Sequence, residues 1–220
     1  MKSIILLMAM SLSIISCRSE QVNTMTMTNK DIIQLVKEND LQGVEAALKN
    51  GANVNTTDNS KRNLLLIVVN AHQTEMAALL VKYKADVNQQ ADNLDSPFLY
   101  AGASGQTELV KLFLDNGARF DIFNRYNGSA LIPACERGHI ETVRLLANTK
   151  GFPVNHVNRL GWTGLMEAIV LGDGSKKYQE IVQILKDAGA KMDIPDRDGI
   201  TPLQHAQQRG FKEIVTILKS

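Results

Sequence analysis

The chain is poor in the features that announce chemistry. Aromatic residues make up 5% of its 220 residues, too few for a surface that stacks nucleic-acid bases. No sign of charge dominates. The formal net charge of +1 provides neither a basic field for nucleic acid nor an acidic tail. Cysteine occurs only twice, at Cys17 and Cys135. The four histidines, His72, His139, His156 and His205, show neither H-x-x-x-H spacing nor a Cys/His cluster, so no metal site is expected. No serine stands in a G-x-S-x-G turn, and the usual nucleophile elbow is therefore absent. Gly172-Asp173-Gly174-Ser175-Lys176-Lys177 looks like a phosphate cradle, but it lacks the G-x-x-x-x-G-K spacing and follows a helical pattern instead of a strand. It reads as a solvated loop lengthening the turn between two helices. No catalytic residue and no cofactor site are assigned.

Hydrophobic runs are also short. The one at the start, Ile4 to Ile15, is too short to span a bilayer comfortably, and Lys2 gives it the positive beginning of a processing segment. It ends in Ile14-Ile15-Ser16-Cys17. That ending resembles the bacterial lipobox, which implies cleavage before Cys17 and lipidation of the new terminus, with residues 1–16 as the signal peptide. An ordinary secretory signal with an incidental cysteine is the alternative. Cleavage would remove Lys2 and no acid, leaving 23 bases against 23 acids. Several acyl chains on one cysteine anchor firmly, since each buried CH₂ adds about 0.8 kcal/mol. Arg18 stands where an inner-membrane retention signal would place Asp, so resemblance to enterobacterial lipoproteins favours the outer membrane, on its periplasmic side. Residues 17–29 are polar, lack a periodic apolar face and read as a tether. With Cys17 acylated, Cys135 has no partner for an intramolecular disulfide. Its place on a helical pattern suits a buried structural thiol.

What the chain has in abundance is repetition. Small polar residues open matching phrases at Asn63, Ser96, Ser129, Thr163 and Thr201, at steps of 33, 33, 34 and 38. Counting 33 back from Asn63 reaches Lys30 and a degraded first copy. Periods near 33 mark stacked helix pairs. Each opening residue is a good helix N-cap, and Pro97 and Pro202 suit the first helical position. Gly105, Gly138, Gly172 and Gly210 follow nine residues on, where a left-handed turn stops the first helix. Leu109, Val110, Leu112, Phe113 and Leu114 then keep the spacing of a second helix, and Gly51, Gly117 and Gly189 end such helices. Asn39, His72 and Lys84 stand in glycine positions; Asn and His tolerate a left-handed turn better than Lys does. Pro133, four residues after Ser129, forfeits an early helical hydrogen bond.

Thr201-Pro202-Leu203-Gln204-His205-Ala206, Arg137-Gly138-His139-Ile140-Glu141-Thr142-Val143 and Gly51-Ala52-Asn53-Val54-Asn55 together resemble the ankyrin repeat. The resemblance implies an all-α solenoid of six helix-turn-helix repeats over residues 30–220 (30–62, 63–95, 96–128, 129–162, 163–200 and 201–220), joined by short β-hairpin-like loops. The family's histidine position holds Leu66, Leu99, Ile132, Met166 and Gln204, so apolar packing is expected to replace its hydrogen bond. The resemblance also implies protein binding through the concave face and the loop tips, without catalysis, by a chain that is monomeric when free. The tip positions carried across are Asn59, Ser60 and Arg62; Asp92, Asn93 and Asp95; Arg125 and Tyr126; Arg159, Leu160 and Trp162; and Arg197, Asp198 and Ile200. Arg125, Tyr126, Arg159 and Trp162 are of the residue types enriched at binding hot spots. Two narrower roles stay open: an immunity protein neutralising a secreted antibacterial effector such as a phospholipase, and an envelope scaffold or protective partner of a periplasmic enzyme.

Overall fold

The computed structural model describes residues 29–220. The expected signal segment 1–16 and all but the last residue of the expected tether 17–29, Cys17 included, lie outside the described residues.

The described residues form twelve helices in six pairs: α1 (Asn29–Lys37) and α2 (Leu41–Lys49); α3 (Leu64–Asn70) and α4 (Thr74–Lys82); α5 (Pro97–Ala103) and α6 (Thr107–Leu114); α7 (Leu131–Arg137) and α8 (Ile140–Ala147); α9 (Gly164–Val170) and α10 (Lys176–Asp187); α11 (Pro202–Gln208) and α12 (Lys212–Lys219). First helices pack on first helices from α1 through α11, and second helices on second helices from α2 through α12. The core is therefore one continuous layer that grows by addition of pairs. Leu64 to Val69 of α3 are all buried, as a helix apolar all round requires neighbours on every side. Each such Leu contributes about 1.5–3 kcal/mol by leaving water.

Four of the five opening residues cap as expected. Asn63, Ser96, Thr163 and Thr201 accept a hydrogen bond from the backbone N–H three residues on, at Leu66, Leu99, Met166 and Gln204. Ser129 does not cap. It is buried, its Oγ has no partner among the described residues, and Ala130 stands helical before α7 with no side-chain cap. Pro133 is the reason. At the other four openings the residue four positions on donates its N–H to the opening carbonyl: Ile67, Tyr100, Glu167 and His205. Proline has no N–H to give, so the first turn of α7 is not closed there.

Gly105, Gly138 and Gly210 adopt the left-handed turn, as do the substitutes Asn39, His72 and Lys84. Gly172 does not; the positive φ falls instead at Gly174. Gly172 serves another need, because a Cβ there would lie 2.2 Å from the Ala168 carbonyl and 2.6 Å from the Tyr178 ring. Nor is the stretch from Gly172 to Lys177 all solvated loop. Lys176 and Lys177 open α10, which runs to 12 residues and buries Tyr178, whose hydroxyl donates to the Glu136 carbonyl at 2.8 Å.

Leu66, Leu99, Ile132 and Met166 are buried, while Gln204 forms a reciprocal capping box with Thr201 where apolar packing was expected. Cys135 is fully buried, and burial pushes its thiol well up, with Glu167 adding to the effect. No strand occurs among the described residues. The connecting loops keep their shape by turn hydrogen bonds, with one isolated bridge between Thr57 and Asn63.

Candidate protein-interaction surface

Each tip is a loop closed on itself. The residue five positions before the opening donates its N–H to the carbonyl just before the opening: Asp58 to Arg62, Ala91 to Asp95, Asn124 to Gly128, Asn158 to Trp162 and Asp196 to Ile200. It also accepts, through its carbonyl, from Lys61, Leu94, Asn127, Gly161 or Gly199, all of which have positive φ. Where that residue is Asp or Asn, its Oδ1 takes two more N–H groups at 2.9–3.0 Å: Ser60 and Arg62, Tyr126 and Gly128, Leu160 and Trp162, Asp198 and Ile200. Ala91 cannot do this, and Asn93 Oδ1 instead accepts from the Asp95 N–H at 3.0 Å. The recurring Asp or Asn five positions before an opening is the sequence signal for this clasp.

A second device joins neighbouring tips. Asn55, Asn88 and Asn155 accept through Oδ1 from the N–H of Asp86, Arg119 and Lys191, one repeat on, at 2.8–2.9 Å. The rung between the third and fourth connections is missing. Asp121 stands in the asparagine position and Pro153, which has no N–H, in the donor position. Asp121 pairs with Arg119 instead, at 2.6 Å. Aromatic contacts cross that joint: Phe120 with Phe152, and Phe123 stacked on His156 at 4.0 Å.

The expected tip residues divide by their surroundings. Arg62 bonds back to Asp58, and Asp92 pairs with Lys61 of the preceding tip at 2.7 Å. Asp95 lies 3.6 Å from Arg125; burial pushes its carboxyl up while Arg125 pulls it down. Asn59, Ser60, Asn93, Arg159, Arg197 and Asp198 are exposed, and Ile200 is half-buried. Arg197 lies over Gly161, where a Cβ would meet its Cγ at 2.7 Å. The Arg159 N–H donates to the Tyr126 carbonyl at 2.8 Å, tying two tips together. Arg125 rests over the Tyr126 ring, 4.9 Å from its centre. Trp162 is half-buried.

Between these two tips and the faces of α7 and α9 lies a cavity of about 410 Å³. Of the expected cluster, Arg125 and Tyr126 line it together with Leu160, whereas Arg159 and Trp162 do not. Tyr126, Leu160 and Leu171 form an apolar rim, 54%, 51% and 48% exposed. Glu167, only 5% exposed, lies deep among the lining residues. Its Oε1 accepts from Asn158 Nδ2 at 2.7 Å. Burial, then repulsion from Glu136, pushes the Glu167 carboxyl up to about 7, against the pull of the Asn158 hydrogen bond. The same pair of positions holds Asp196 and His205 in the last repeat, with His205 Nε2 2.7 Å from Asp196 Oδ2, and there the acid is held below its usual range. The sequence reading missed Glu167. The available signal was an acid four residues after an opening, where the other copies carry Ile67, Tyr100, Pro133 and His205.

A two-layered stack of helix pairs with self-closed tips defines a solenoid repeat protein. The chain belongs to the ankyrin repeat family. The family model for ankyrin repeats matches residues 32–124 and 98–196. The ankyrin repeat protein YahD of Escherichia coli K12 is 35% identical over 189 residues, covering 86% of this chain and 94% of YahD. An ankyrin repeat domain from Acinetobacter baumannii AYE, solved by crystallography, superposes with a TM-score of 0.84 at 43% identity, covering 87% of this chain and 97% of that one. The crystal structure of the ankyrin repeat protein EF0377 gives a TM-score of 0.85 at 35% identity, covering 88% and 98%. Proteins of this family are protein-interaction modules, generally without catalysis.

Proposed function

We propose that this chain is a non-catalytic protein-binding module held by a lipid on Cys17 at the periplasmic side of a bacterial membrane, by preference the outer one. In this reading it is an immunity protein that neutralises a secreted antibacterial effector such as a phospholipase. The observation that carries the binding reading is the clasp. Every tip is closed by two backbone hydrogen bonds of its own, and the side chains of Tyr126, Arg159, Leu160, Arg197 and Asp198 remain exposed and available to a partner. Concave ankyrin surfaces lie on the first-helix side, and the helices there from α3 on have seven residues against eight to twelve in the second layer. Tethering by Cys17, the last residue of Ile14-Ile15-Ser16-Cys17, would hold an inhibitor where a toxin enters.

The test uses the full-length tagged chain in a bacterial envelope, crosslinked and purified with its partner. A secreted effector should be captured and its toxicity suppressed, and Cys17→Ser should release the chain from the membrane fraction. Capture of no protein would end the binding reading. A Cys17→Ser chain that stays with the membrane would end the lipid-anchor reading.

A further inference from the structure

The cavity beside Tyr126 and Leu160 is lined by two acids and two arginines that do not pair with one another. Its two acids come from adjacent first helices, Glu136 from α7 and Glu167 from α9. Neither forms an ion pair among the described residues, and no described residue donates a hydrogen bond to Glu167 Oε2. The two arginines of the lining form their close contacts elsewhere, although Arg137 still acts on Glu167 from a distance. Arg125 faces Asp95, and Arg137 donates through Nη1 to the Ala103 carbonyl at 2.6 Å. A buried carboxylate without a cation is costly, and here it borders a space open to the surface and rimmed by three large apolar side chains.

We propose that this cavity receives a basic side chain, lysine or arginine, of the bound protein, with its charged end at Glu167 and Glu136 and its stem against Tyr126, Leu160 and Leu171. The chemistry matches at both ends. A long basic side chain carries an apolar stem that gains by covering the rim, and its charged head supplies the donors that Glu167 lacks. An acidic side chain would meet the Glu136 carboxylate there and, above about pH 7, that of Glu167 as well. An aliphatic one would leave Glu167 unpaired and further desolvated. The proposal rests on the protein-binding reading and names what part of the partner enters.

The probe is n-hexylammonium, with n-hexanol and hexanoate as neutral and anionic counterparts, titrated into the full-length chain. Methyl NMR shifts of Ile132, Leu160 and Leu171 report binding. Hexylammonium should saturate these shifts, bind at least tenfold more tightly than hexanoate, and bind more tightly at pH 8 than at pH 5. The charges of α7 that act on Glu167 are Glu136, which opposes its ionisation, and Arg137, which favours it; the Cys135 thiol, on the same helix, is neutral.

Glu167→Gln keeps an oxygen for Asn158 and should weaken hexylammonium at least tenfold. Leu160→Ala, at an exposed site, should weaken it about threefold with the fold intact. Equal binding of hexylammonium and hexanoate, or unchanged binding by Glu167→Gln, overturns the proposal. An envelope protein captured equally by wild type and Glu167→Gln, with no hexylammonium binding, would overturn it while leaving the protein-binding reading in place.

Discussion

Replacing Glu167 by glutamine should stabilise this protein, and only above a definite pH. The carboxyl titrates near pH 7 in the folded chain against an ordinary value of 4.5. Between those values the folded state holds a proton that the unfolded state has released, so stability falls as pH rises through that window. Each pH unit of the gap corresponds to about 1.4 kcal/mol. The full gap would amount to about 3 kcal/mol, which water reaching the cavity reduces toward 2. The glutamine side chain of the variant keeps an oxygen for Asn158 Nδ2 and has nothing to titrate. Denaturant unfolding followed by far-ultraviolet circular dichroism at pH 4.5, 6 and 8 measures the difference. The two chains should be nearly equal at pH 4.5 and diverge to about 2–3 kcal/mol at pH 8, with the variant the more stable. Parallel pH dependence in the two chains would refute the assignment of a strained acid at this site.

Three further outcomes follow from the same geometry. Pro133→Ala restores an N–H opposite the Ser129 carbonyl and lets the Ser129 hydroxyl cap α7, so thermal unfolding should show about 1 kcal/mol of added stability. Lys84 is exposed and holds φ at 67°, so Lys84→Gly should stabilise by roughly 0.5–1 kcal/mol, the relief of left-handed strain exceeding the gain in unfolded-chain entropy; a lower melting temperature would contradict this. Trp162→Ala should cost about 2 kcal/mol or more of partner affinity, measured by calorimetry against the captured protein. Its folding should change by about 1 kcal/mol or less, since the clasp uses only the Trp162 backbone, and unchanged affinity would remove Trp162 from the contact surface.

The helix pairs were legible because stacking constrains the same positions in every copy. The opening caps, the left-handed Asn39, His72 and Lys84, and the apolar second helices follow from a period and a few side-chain rules. The failures occur where two constraints meet on one residue. Ser129 is a good cap by type, but the proline four residues on removes the bond that would set it in place. Gly172 sits at the expected count, yet the insertion moves the turn to Gly174 and leaves Gly172 under the Tyr178 ring. The cavity was half legible. Arg125, Tyr126 and Leu160 could be placed on tips by counting. Glu167 could not, because its importance arises from Glu136 and Asn158 meeting it across two repeats. Periodicity identifies the position of such a residue and is silent about its neighbours in space.

The clasp has a consequence for how this chain tolerates change. Its loops are held by main-chain atoms and by Asp58, Asn124, Asn158 and Asp196, none of which is fully exposed. Tyr126, Leu160 and Asp198 beside them donate only their backbone N–H groups to the clasp, and almost every amino acid possesses such a group. Substitutions at Tyr126, Arg159, Leu160, Arg197 and Asp198 are thereby largely uncoupled from folding, whereas Arg125 also faces Asp95 of the preceding tip. A surface of this construction can be rewritten one residue at a time, and through no unfolded intermediate, to follow a partner whose own surface is changing.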